Sequence, residues 1–172
     1  MTPDPLPDIR LIAFDVDGVL TDGRIIVDDN GVETKHFNAR DGFAMSVAGR
    51  MGMRIGIVTG RTGRAVTLRM NELGVGPVLQ GVRDKAVGLE TLCQQADVMP
   101  EQCAYVGDDL IDLPALLRCG YPVAVADAVE EVKAEARYVT AARGGHGAAR
   151  EVIEHVFKAQ DRWDELLERF GV

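Results

Sequence analysis

No stretch of this chain stays apolar long enough to span a bilayer. Each hydrophobic run is cut short by glycine or aspartate, which excludes a membrane-crossing helix. Cysteine is scarce. The three present, Cys93, Cys103 and Cys119, are odd in number and lack paired or metal-type spacing, so no disulfide framework is expected and the chain reads as cytoplasmic. Positive charge is in deficit: 19 Lys and Arg against 27 Asp and Glu leave a net charge of −8, and no basic stripe offsets it, which argues against a nucleic-acid partner. There is no internal repeat and no low-complexity tract. The opening residues, "MTPDPLPD", have neither a basic flank nor an apolar core, so residues 1–8 are expected to be a disordered leader and not a signal peptide.

What is present is ordinary for a globular protein. A length of 172 residues, 47% hydrophobic and 27% charged, suffices for one full core, and 9–172 is expected to form a single domain. Short apolar runs ("IRLIAFDV", "MRIGIVTG", "GPVLQG", "CAYVGDD", "GYPVAVAD") read as strands buried on both faces. Between them lie helical stretches at 41–51, 61–74, 84–97, 110–120 and 129–136, the second with Val66, Met70 and Leu73 at helical spacing and Gly74 as its stop. This alternation predicts an α/β domain with a doubly wound parallel sheet.

Two segments stand apart. Residues 24–37, "RIIVDDNGVETKHF", carry two β-prone arms around Asn30-Gly31 and predict an inserted β-hairpin. After the glycine-rich link "ARGGHGAA", Val152, Val156, Trp163 and Leu166 predict an amphipathic helix within a tail over 143–170, broken near Asp161.

The chemistry gathers where an open α/β sheet binds ligands, at the carboxyl ends of its strands. The first strand delivers Asp15 and Asp17, expected to point the same way by strand alternation; the second delivers Thr59-Gly60-Arg61, and a later one Gly107-Asp108-Asp109. Like-charged acids so close together repel unless a cation needs them, and an oxygen-rich set of this kind suits Mg²⁺. Lys85, at the start of a helix, has no use in a bare cation site. With Thr59 it suits a phosphoryl group, whose charge spreads over three oxygens. A carboxylate beside such a group can attack it through an aspartyl-phosphate, while a second carboxylate moves the proton.

In their order, "DVDGVLTDG", "TGR", a lysine and "GDDLIDLP" resemble the four motifs of haloacid-dehalogenase-type phosphatases. With "FNARDG", "LQGVRDK", "VAVADA" and "GGHGAAREV", the likeness extends over roughly residues 9–165 to the sugar-acid phosphatases that act on 3-deoxy-D-manno-octulosonate 8-phosphate, a step in lipopolysaccharide precursor synthesis. The resemblance implies a nucleophile and metal ligand at Asp15, and at Asp17 a general acid/base that contacts substrate and lends its main-chain carbonyl to Mg²⁺. It implies phosphoryl contacts from Thr59 and Lys85, a third metal ligand at Asp108, and substrate contacts at Asn38, Ala39, Arg40, Asp41, Gly42, Arg61 and Arg69. Cations there fit a substrate whose carboxylate lies far from its phosphate.

Plainer readings stand beside these. Arg69, three before Glu72, suits a surface ion pair; Asp41 suits a cap for its own helix; Asp109 and Asp112 suit either capping or orienting Lys85. His36, His146 and His155 lack ligand spacing. Among rival functions, a phosphatase for a nonulosonate 9-phosphate shares the chemistry. A phospho-receiver domain places adjacent acids after its first strand, whereas here they are adjacent only in "GDD". A non-catalytic relative should lack a charged motif residue, and none is missing.

Neither gap between the motifs has room for a cap domain with its own core. The apolar hairpin is therefore expected to pack on a neighbouring subunit, and the resembling family implies a homotetramer. The "ARGGHGAAR" link is expected to reach the same mouth with Arg143 or Arg150.

Overall fold

The computed structural model describes Leu6 and residues 8–171. Of the expected leader, only Leu6 and Asp8 fall among these; Leu6 packs against the core, and the other leader positions lie outside the described residues.

The strands are β1 (Leu11–Phe14), β2 (Ile26–Val27), β3 (Glu33–Thr34), β4 (Arg54–Val58), β5 (Val78–Leu79), β6 (Cys103–Gly107), β7 (Tyr121–Ala124) and β8 (Tyr138–Val139). Six form one sheet in the order β5-β4-β1-β6-β7-β8, and every neighbouring pair is parallel. β1 lies between β4 and β6, and all four of its residues are buried. A strand covered on both faces needs apolar side chains throughout, which is why this run was readable. The helices are α1 (Ala39–Arg50), α2 (Arg64–Leu73), α3 (Lys85–Ala96), α4 (Leu113–Leu116), α5 (Glu130–Glu135), α6 (Ala148–Ala159) and α7 (Trp163–Glu168). α2 ends at Gly74, as its spacing predicts.

Two expectations need correction, and one strand was not foreseen. The helix expected over 110–120 is a 3₁₀ turn, Leu110–Asp112, followed by the four-residue α4, because Asp112 is drawn into the site below. β8, two residues at the sheet edge, gave no sequence signal. The hairpin does not turn on Asn30-Gly31 alone: Val27 faces Glu33, and the Asp28 carboxylate organises the intervening residues by accepting from Asn30 N (2.9 Å) and Val32 N (2.8 Å). The C-terminal segment breaks where expected, into α6 and α7, with Asp161 at a φ of 55° between them.

Between β1 and β4 the chain forms only the β2–β3 hairpin and α1. The hairpin leaves Ile25, Ile26, Val27 and Val32 exposed. The glycine-rich link packs against the loop that follows β1. Gly145 N donates to Val19 O at 2.9 Å, and a Cβ on Gly144 or Gly145 would strike the backbone of Gly18 or of Thr21 and Asp22. Arg143 pairs with Asp127 at 3.1 Å and Arg150 lies 3.9 Å from Glu154.

Candidate active site

β1 ends at Phe14, and Asp15 extends its pairing by one residue through N–H to Val106 O (3.1 Å). The chain then turns at Gly18, whose φ of 92° suits glycine and whose missing side chain leaves space for the Asp108 carboxylate. Asp84 caps α3 by accepting from Ala86 N at 2.9 Å, which fixes Lys85 as the first helical residue. Its side chain is buried at 1% exposure under the carboxyl ends of β1, β4 and β6.

Lys85 Nζ donates to Val58 O (2.8 Å), to Tyr105 Oη (3.2 Å) and to Asp112 Oδ1 (3.0 Å). It also lies 2.8 Å from Asp15 Oδ1, an ion-pair distance but off the line of a hydrogen bond. Asp112 is fully buried and fully used: Oδ1 takes Lys85 and the Tyr105 hydroxyl (2.8 Å), while Oδ2 takes the N–H groups of Asp108 (3.1 Å) and Asp109 (3.4 Å). Of the two plain readings, Asp112 therefore orients Lys85, and Asp109 caps the 3₁₀ turn through Leu110 N.

The carboxylates of Asp15, Asp108 and Asp112 converge, with one oxygen of each within 4.8 Å of the others. Burial and then the Asp112 charge push the Asp15 carboxyl up to about 6, against the pull of Lys85. Burial, Asp112, Asp15 and Asp109 push Asp108 up to about 8. Asp15 Oδ1 and Asp108 Oδ1 are buried without a hydrogen-bond partner. Hard oxygens crowded by like charge, with that of Asp108 left without a partner, are what a divalent cation such as Mg²⁺ would complete. Asp112, with its oxygens already committed, is the orienting member of the trio.

Asp17 does not join that cluster. Its carboxylate is held instead by cations from the hairpin and from the end of β4. Its Oδ1 pairs with Lys35 from the hairpin, and its Oδ2, buried and without a hydrogen-bond partner, lies 3.8 Å from Arg61 Nε. Lys35 also meets Glu33 at 2.9 Å, and Glu33 pairs with Arg61. Burial weakens the Lys35 ammonium, but its bonds to Asp17 and Glu33 prevail and raise its pKa. Thr59 is buried just beyond β4, its N–H bonded to Leu79 O at 2.9 Å.

The other expected substrate contacts surround the start of α1. Asn38 is its N-cap, accepting from Arg40 N at 2.8 Å and donating to Gly145 O at 3.3 Å. Ala39 and Arg40 are exposed. The Arg69 guanidinium lies over Gly42, where a Cβ would displace it, and also bonds Glu72 at 2.9 Å, so the surface-pair reading of Arg69 holds for one of its nitrogens. Asp41 is turned inward: its carboxylate accepts from Gly147 N (3.2 Å) and Arg150 N (2.8 Å) and thus caps α6, not its own helix. The Asp41 side chain is thus engaged within the fold.

Lys35, Glu33 and Tyr105 were missed as site residues. The one signal for the first two was "ETK", opposite charges two apart on the second arm of the hairpin. An apolar cavity of about 230 Å³ between α1, α6 and α7, lined by Phe43, Trp163, Leu166 and Phe170, holds none of these charged groups.

A family model described as haloacid dehalogenase-like hydrolase matches residues 78–152. The chain is 43% identical over 158 residues to 3-deoxy-D-manno-octulosonate 8-phosphate phosphatase of Escherichia coli K12, covering 92% of this chain and 84% of that protein. Among solved structures, the same phosphatase from Moraxella catarrhalis, in complex with magnesium ion, phosphate ion and KDO, superposes with a TM-score of 0.92 at 39% identity, covering 95% of this chain and 94% of that one. A cobalt-bound form of the enzyme from Haemophilus influenzae gives a TM-score of 0.88 at 37% identity, with 92% of each chain covered.

Proposed function

From the premise that the chain belongs to the haloacid dehalogenase-like phosphatases of the 3-deoxy-D-manno-octulosonate 8-phosphate type, we propose that it is a Mg²⁺-dependent phosphomonoesterase releasing phosphate from that sugar-acid phosphate. The observation that carries this reading is the convergence of the buried Asp15 and Asp108 carboxylates beside the Lys85 ammonium.

Asp15 attacks phosphorus, the bond to the sugar oxygen breaks, and Asp17 gives that oxygen its proton. Asp17 then takes a proton from water, which displaces the Asp15 carboxylate and frees phosphate. Lys85 and Thr59 offset and hold the phosphoryl oxygens. Asp15, Asp108 and the main-chain carbonyl of Asp17 would hold Mg²⁺, which supplies positive charge against the carboxylates and the phosphoryl group. Arg61, Arg69 and the Asn38–Gly42 backbone receive the sugar-acid end, while the Asp41 side chain braces α6 beneath it. Three cysteines that form no disulfide support a cytoplasmic setting, and among the described residues no helix is long and apolar enough to cross a membrane.

The deciding experiment is phosphate release with Mg²⁺ from 3-deoxy-D-manno-octulosonate 8-phosphate and, in parallel, a nonulosonate 9-phosphate. The first should be preferred and chelation should abolish both rates; a preference for the second would reassign the substrate. Metal also has a signature in stability. Because Asp15 and Asp108 titrate at about 6 and about 8 when folded but near 3.8 when unfolded, the unfolded chain holds fewer protons across that window, so metal-free stability falls as pH rises from about 4 to about 8. Mg²⁺ should therefore raise the melting temperature more at pH 8 than at pH 5, and Asp108→Asn should flatten this difference. Equal shifts at both pH values would remove these carboxylates from the metal site.

We assign a homotetramer on the same footing. A two-stranded hairpin with four exposed aliphatic side chains is poorly suited to water, and another subunit is a fitting cover. Light scattering should give about four times 18.6 kDa, and Ile25→Asp with Val27→Asp should lower mass and activity together. A fully active monomer would sink the assembly argument.

A further inference from the structure

We propose that Lys35 is a positioning residue for Asp17, holding one carboxylate oxygen so that the other is the one that exchanges a proton with the leaving group. The inference rests on the phosphatase reading above and goes beyond it, because it gives the hairpin of the same subunit a part in the chemistry.

Lys35 belongs to a segment whose neighbours in sequence, Thr34 and His36, are exposed, yet its own side chain is 3% exposed. Its stem runs beside Gly63, at the start of α2, where a Cβ would come within 4.0 Å of Cε. A lysine buried to this degree needs partners for its ammonium, and two are present: Asp17 Oδ1 and, at 2.9 Å, Glu33 Oε1. Arg61 closes the ring by pairing with Glu33 and lying 3.8 Å from Asp17 Oδ2. Two acids and two bases balance, so the ring adds no net charge beside the Asp15–Asp108 cluster.

The asymmetry at Asp17 is informative. Oδ1 is held, whereas Oδ2 is buried with no hydrogen-bond partner, a costly arrangement unless something arrives to use that oxygen. A general acid must also be fixed to within a hydrogen-bond length of the atom it serves. A carboxylate on a loop beyond the strand end has two free torsions; the Lys35 bond removes that freedom, and Glu33 in turn keeps Lys35 in place.

The test uses Lys35→Met and Lys35→Arg in the full chain with Mg²⁺. Each is assayed on an alkyl phosphate that the wild type hydrolyses, the sugar-acid phosphate if it is accepted, and on 4-nitrophenyl phosphate. The alkoxide leaving group needs a proton from Asp17, whereas the nitrophenolate needs little help. For Lys35→Met the alkyl kcat should fall about 10- to 100-fold, with the aryl kcat falling only about 2- to 3-fold and KM for each changing by less than about 3-fold. Lys35→Arg should recover much of the alkyl rate. In an Asp17→Asn background, Lys35→Met should cost no more than about 2-fold further on either substrate. Equal losses on both substrates, a KM effect with kcat intact, or an undiminished loss in the Asp17→Asn background would overturn the proposal. A melting curve identifies an unfolded Lys35→Met, in which case Glu33→Gln, which loosens Lys35 without emptying its site, must show the same alkyl-over-aryl selectivity or the proposal fails. Rejection of the sugar-acid phosphate by the wild type would instead count against the substrate reading, and the ratio on another alkyl phosphate still decides the role of Lys35.

Discussion

Asp15→Asn should turn over substrate at less than about 10⁻⁴ of the wild-type rate while remaining folded, since an amide cannot attack phosphorus and the loss of a nucleophile removes the reaction path itself. The stability side of the result is equally specific. Burial and the Asp112 charge push the Asp15 carboxyl up to about 6, so at pH 8 its ionised form is a burden on the metal-free fold. The neutral amide escapes that burden, and Lys85 keeps its bond to Asp112 at 3.0 Å. The metal-free melting temperature at pH 8 should therefore hold or rise, and the difference from wild type should shrink towards pH 4. Hydrolysis above background in a preparation free of wild-type protein would exclude the covalent route.

Lys85→Met should lose both fold and function. Its ammonium is within 3.0 Å of both Asp15 and Asp112, and all three side chains are almost wholly buried. Removing the cation leaves two carboxylates facing each other without water, and breaking one side of a buried ion pair costs about 3–5 kcal/mol. The rate should fall about 10²- to 10³-fold or more through loss of the charge that offsets the phosphoryl oxygens. The two effects separate in Lys85→Met/Asp112→Asn: stability by denaturant titration should largely return, because the uncompensated acid is gone, and activity should not. A double variant that recovers both would mean that Lys85 serves only the fold.

How much of this could be read from the residues depends on how far each signal reaches along the chain. The central strands were legible because burial on both faces demands an unbroken apolar run, as in Leu11–Phe14. Asp15, Thr59, Lys85 and Asp108 were legible because each directly follows such a strand or opens a helix, and the topology of a parallel sheet then brings them to one end. What escaped depends on partners distant in sequence. Asp41 looks like a cap for its own helix and becomes a cap for one that starts at Ala148. Lys35 looks like a hairpin surface charge until Gly63 and Asp17 close over it. β8 is an edge of two residues, too short for any period to show.

The seating of Gly144 and Gly145 against Gly18 and Thr21 has a consequence for the order of events during synthesis. The loop after β1 leaves the ribosome more than a hundred residues before the backbone of Gly144 and Gly145 that it lies against. At about 5–20 residues per second, the loop waits on the order of 10 s for that partner. β1 waits too, since one of its two flanking strands, β6, begins only at Cys103. A nascent chain thus carries Asp15 long before it carries Asp112 and the burial that raise its carboxyl, whereas Lys35, the partner of Asp17, follows only 18 residues after it.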